Sequence, residues 1–154
     1  MDRTSENTLL QVAERTFEEL AFLIPLDDQE APQQPCGPHT VASIDFRGPF
    51  SGSLFIAVPT TMLPELARNM LGLDQDPPQD KQLDAFKELL NVVCGNLLPE
   101  LAGPQALFDV SPPQLRPETT LPPTHNHTPP TATATLNLDA GPARLALFIH
   151  NHQT

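Results

Sequence analysis

The chain has no tryptophan and no tyrosine, so phenylalanine and aliphatic side chains must fill any core it builds. Basic residues are scarce as well: 8 Lys and Arg stand against 19 Asp and Glu, for a net charge of -11. A nucleic-acid binder gathers Lys and Arg on one face to displace phosphate counterions, and an anionic membrane makes a similar demand. The few, scattered cations here meet neither, and solubility alone accounts for the acidity. No stretch approaches the roughly 20 apolar residues of a membrane span, and the opening MDRTSENTLL is polar, with no apolar signal segment. Two cysteines, Cys36 in a Pro-rich loop and Cys94 within a helical pattern, are too few for a disulfide framework. They are expected to be free thiols in a reducing cytoplasm. The nucleophile elbow G-x-S-x-G and the phosphate loop G-x-x-x-x-G-K-[ST] are both absent.

What is present suits one domain over residues 1–154: 39% hydrophobic residues and a length that can bury a core. Leu9, Val12, Phe17, Leu20 and Leu23 recur near helical spacing, which predicts an amphipathic helix over Ser5–Ile24, stopped by Pro25. A Gln-, Pro- and acid-rich loop follows from Asp27 to Pro38. From Thr40 the period changes to two, Val41, Ser43 and Asp45 alternating with Ala42, Ile44 and Phe46. Gly48-Pro49 and Ser51-Gly52 mark a turn, and Ser53–Val58 returns as the second strand of a hairpin. Pro59-Thr60-Thr61 opens a short helix that runs to Leu71 and closes at Gly72.

After an acidic link from Asp74 to Gln79, a long helix is predicted from about Asp80 to Leu101, ending before Gly103-Pro104. A strand is expected around Leu107–Val110. Between Ser111 and Pro130 lie seven prolines, which exclude a helix or a central strand and predict an extended loop. Thr131–Leu138 and Ala143–His150 read as a second hairpin across Asp139-Ala140-Gly141-Pro142. Helices and strands grouped in this way give an α+β domain, with helices packed on an antiparallel-rich sheet.

The long helix is the most informative segment. At about 100° per residue, Leu83, Phe86, Leu89, Leu90, Val93 and Leu97 share one broad apolar side. Glu88 and Asn91 fall together on the opposite side, with Asp84 one turn before and Gly95 one turn after. Residues three apart are neighbours on a helix surface, so a carboxylate and an amide can reach one target from an exposed ridge. Such a pair can position a cation and a water. On spacing alone the same face also reads as ordinary solvated polarity, above all at Asp84.

The run Glu88-x-x-Asn91, followed by Cys94-Gly95-Asn96, resembles the motif helix of the CheC/CheX/FliY chemotaxis phosphatases, and CheX most of all. The likeness extends to the opening helix with TFEELAFLIP, the hairpin SIDFRGPFSGSLFIAVP, the short helix TTMLPELARNMLG and the later strands. It implies a CheX-like domain that dephosphorylates the phosphoaspartate of a CheY-like receiver domain. Asn91 would orient the attacking water and Glu88 would pair with the receiver's lysine. Gly95 and Cys94 would keep the nearby surface small. The resemblance further implies a homodimer with one site per chain and no cofactor of its own, Mg2+ being held by the receiver. CheC members carry two such pairs; here Glu18 is followed by Ala21 where an amide would stand, a departure that argues for one site.

Other readings compete. A non-catalytic adaptor for a receiver or other signalling protein would use the same scaffold, and the Pro-rich loop suits docking. His125/His127 and His150/His152 are spaced to share a strand face and to bind a transition metal, but nothing in the sequence joins the two pairs, and solvated histidines explain them more simply. The letters His-Asn-His are no evidence of a nuclease without a basic surface. Cys94 lacks a basic neighbour that would activate it and reads as a packed residue, and Lys87 is expected to point about 100° away from Glu88.

Overall fold

The computed structural model describes residues 3–26, 37–117 and 129–150. Helix α1 (Arg3–Ala21) leads into β1 (His39–Arg47) and β2 (Ser51–Pro59). A 3-10 turn (Thr60–Met62) then opens α2 (Leu63–Leu71), and the long α3 (Gln79–Ala102) follows. Four strands complete the order: β3 (Asp109–Val110), β4 (Gln114–Arg116), β5 (Ala132–Leu138) and β6 (Gly141–His150). The strands form one antiparallel sheet in the order β3-β1-β2-β6-β5, with β4 beside β3 on the same edge of β1. The three helices pack on one face of that sheet, as an α+β fold requires.

The helical layer follows from side-chain period. Leu9, Val12, Ala13, Phe17 and Ala21 bury one face of α1. The helix ends at Ala21, four residues before Pro25, because Phe22 takes a left-handed conformation (φ 54°) and its N–H and that of Leu23 close back on Glu18 and Phe17. Pro25 therefore has a different task from the expected helix stop: it bridges to Leu138, where the Leu26 N–H donates to Asn137 O at 2.7 Å. Gly72 closes α2 in the left-handed region (φ 68°), as its position predicts.

The sheet is more deeply buried than simple alternation suggests. Ala42, Ile44, Phe46, Leu54, Ile56 and Val58 face the helices, while Val41, Phe55, Ala57 and Phe148 form a second buried cluster on the other face. β2 is thus apolar on both sides, which is why its sequence reads as a continuous run. Phe46, Phe50 and Phe108 meet edge to face with centroids 5.3–6.1 Å apart, a favoured aromatic geometry that ties the segment after α3 to the first hairpin.

Two strand expectations need correction. The Ser111–Pro130 region contains β4, which pairs Gln114, Leu115 and Arg116 with Ser43, Ala42 and Val41. Its brevity and edge position reconcile a strand with the neighbouring prolines. Pro142 lies inside β6 and not in the turn, which is Asp139-Ala140 alone. Pro142 is tolerated because the ladder to β2 begins only at Arg144. The remainder of the Pro-rich loop, residues 118–128, and Cys36 lie outside the described residues, as do His125, His127 and His152.

Two stability predictions follow from this packing. A Cβ on Gly52 would lie 2.0 Å from Phe148 O and 2.9 Å from the Phe46 ring. Gly52→Ala should therefore cost roughly 2 kcal/mol or more, read as a lower midpoint in denaturant. Burial pushes the Cys94 thiol from about 9 up to about 12. Above pH 9 the unfolded chain loses this proton while the folded chain keeps it, so stability present below pH 9 is lost as pH rises, by up to about 1.4 kcal/mol per unit. Denaturant titrations from pH 8 to 11 should show the decline, and Cys94→Ala should flatten it.

Candidate functional site

α3 carries the candidate groups, and its environment determines which of them face outward. Ala85, Phe86, Leu89, Leu90, Val93, Cys94, Leu97 and Leu98 are buried against the rest of the core. They occupy one broad side, and the exposed residues along the middle of the helix are Asp84, Glu88, Asn91, Gly95 and Asn96. The structure thus places Glu88 and Asn91 on one exposed ridge, as the helical spacing predicts. Cys94 is 1% exposed and packed in the core, as its sequence context suggests, so it does not share with Gly95 the task of keeping the ridge low. Its high pKa keeps the thiol protonated and unreactive at neutral pH.

Gly95 does shape it. A Cβ built there meets nothing within 4 Å, so no neighbouring side chain demands a glycine. In a helix interior glycine is less favourable than alanine by about 1 kcal/mol. Four residues on, Pro99 sits inside α3 and has no N–H to give the Gly95 carbonyl. The ridge beyond Asn91 is therefore low, with a backbone carbonyl freed from that helical bond.

The ridge borders a groove of about 500 Å³. Asp84, Lys87, Glu88 and Asn91 line it from the helix, and Val110, Ser111, Pro112 and Pro113 line it from the turn between β3 and β4. Lys87 does not point away, as its sequence offset from Glu88 suggests: it shares the groove and lies 3.9 Å from Asp84 across one helical turn. Its long, flexible stem swings the ammonium toward the polar strip. Val110–Pro113 has no motif that would single it out in the sequence; only the folding of β3 and β4 against β1 brings it to the helix.

Other sequence candidates do not assemble. Ala21 is fully buried, and Glu18 is exposed on α1 with no amide three residues on. His150 is exposed at the end of β6. Among the described residues no group of three or more His, Cys, Asp or Glu is placed to hold a metal. No helix among them is long and apolar enough to cross a membrane.

Comparison with known proteins agrees with this architecture. Residues 40–133 match the family model described as chemotaxis phosphatase CheX. A chemotaxis protein CheX from Desulfovibrio desulfuricans superposes with a TM-score of 0.71 at 14% identity, over 96% of this chain and 99% of that one. A CheC-like superfamily protein from Shewanella gives 0.70 at 20% identity, over 98% and 100%. The CheX of a Borrelia burgdorferi complex with CheY, BeF3 and Mg2+ gives 0.63 at 13% identity, over 94% and 97%. No curated protein matches the chain. The match covers more than half of the sequence, including α3 and both walls of the groove: the chain belongs to the CheX family.

Proposed function

We propose that this protein hydrolyses the aspartyl phosphate of a CheY-like receiver domain. The observation that carries the reading is the exposed Glu88–Asn91 pair, displayed at a groove by a helix that buries eight of its side chains in the core. Membership of the CheX family supports it, as does the existence of a CheX bound to CheY in the Borrelia complex. An aspartyl phosphate is already an activated acyl phosphate. Water attacks phosphorus in line, the phosphorus–oxygen bond to the aspartate breaks, and the carboxylate leaves with inorganic phosphate as the other product.

Such a reaction rewards positioning and electrostatics over covalent chemistry. The Asn91 amide both accepts and donates hydrogen bonds, which suits it to hold the attacking water in line. Glu88 offers a carboxylate for the receiver's lysine, which aligns the ridge with the phosphoryl group. The receiver brings the Mg2+, so this chain needs no cofactor. A low surface at Gly95 lets the partner's backbone approach. A homodimer acting in the cytoplasm, with one site per chain, belongs to the same proposal.

The test is the decay of a phosphorylated receiver from the same cell, with and without the protein. Asn91→Ala should slow the accelerated decay by about 10²-fold or more, the usual effect of losing a transition-state hydrogen-bonding group. Glu88→Ala should weaken binding and rate together. Both side chains are exposed, so thermal midpoints should stay close to wild type. Binding without acceleration would identify an adaptor, and wild-type rates in both variants would refute the assigned roles.

Gly95→Ala separates stability from function. It should stabilise the fold by about 0.5–1 kcal/mol while reducing receiver dephosphorylation. A variant that is both more stable and fully active would show that the glycine serves no close approach.

A further inference from the structure

The groove beside Glu88 and Asn91 has a second wall, and its construction is that of a docking surface. The turn from Val110 to Pro113 is held at both ends by β1: Val110 pairs with Phe46, and Gln114 with Ser43. Between them Ser111 grips the Asp45 backbone. Its N–H donates to Asp45 O at 2.9 Å, and its hydroxyl accepts from the Asp45 N–H at 3.1 Å. The Asp45 carboxylate is in turn held by the Ser53 hydroxyl at 2.7 Å. Pro112 and Pro113 then fix their own φ angles and offer no N–H for pairing with another strand. A wall this constrained loses little conformational freedom when a partner settles on it.

The wall also presents an apolar side chain to the groove. Val110, which lines the groove, is 40% exposed, and Pro112 beside it is exposed as well. Charge identifies the other half of the occupant. Lys87 lies against Asp84 and offsets it, which leaves Glu88 as the uncompensated charge among the groove-lining residues.

We infer that Val110–Pro113 is a docking wall that seats the receiver loop bearing the lysine to which Glu88 pairs, and that an apolar residue of that loop rests on Val110 and Pro112. This inference rests on the proposed phosphatase reading and adds a division of labour: the wall sets affinity for the receiver, while Asn91 acts on the rate of the bound complex.

Steady-state dephosphorylation over a range of phosphoreceiver concentrations tests it. The double variant Val110→Ser/Pro112→Ser should raise KM about tenfold and leave kcat within about twofold, whereas Asn91→Ala lowers kcat. Pro112→Ser alone, at an exposed position, should move KM in the same direction, which keeps the test decisive if the double variant folds poorly. Thr133→Ser, exposed on β5 at the far edge of the sheet, should change neither constant. If the wild type accelerates decay and both wall variants retain its KM, or lose kcat at unchanged KM, the docking wall is refuted and the phosphatase reading stands. If the wild type does not accelerate decay, both fall together.

Discussion

The burial of α3 is the constraint on which the rest of the structure depends. The helix packs against α1, α2 and β1, and hides eight side chains in one continuous core. Any change of register would bring Glu88 or Asn91 toward that interior, where an unpaired carboxylate or amide is costly. The hydrophobic effect thus orients the polar pair without contacting it. Where catalysis depends on placing a water and a cation, rigid display of this kind contributes as much as the choice of residues.

The sheet supplies what the helix alone lacks. A ridge without an opposing surface can meet many partners in many poses. β1 carries both halves of the answer: its helix-facing side chains support the core, and its free edge recruits β3 and β4. The Phe46, Phe50 and Phe108 cluster fastens the start of that recruited segment, and Ser111 fastens its middle. The groove is therefore assembled from residues distant in sequence by the same strand that anchors the fold.

This explains which features were legible beforehand. Helical period exposed α3 and its polar strip because both lie within one continuous segment, and alternation exposed the first hairpin for the same reason. The end of α1 is not legible in the sequence, because Phe22 adopts a conformation normally reserved for glycine whereas Pro25 is the conspicuous local stop. β4 leaves no local signal, because a three-residue edge strand amid prolines has no periodicity of its own; its pairing with β1 creates it. Helical offset alone misplaces Lys87, because it locates the direction at Cα while a lysine tip moves several ångströms around it. The groove's second wall had no local signal at all, being a product of tertiary structure.

Pro99 has a mechanical consequence. The helical ladder carries axial force from turn to turn, and the proline removes a rung between Gly95 and Pro99, just past the polar strip. The turns bearing Glu88 and Asn91 behave as one stiff rod, braced along its length by the core. The final turn leads through Gly103 toward the aromatic cluster with one helical hydrogen bond fewer tying it to the turns before. A load reaching α3 from that side meets the missing rung before it meets the turns that carry Glu88 and Asn91.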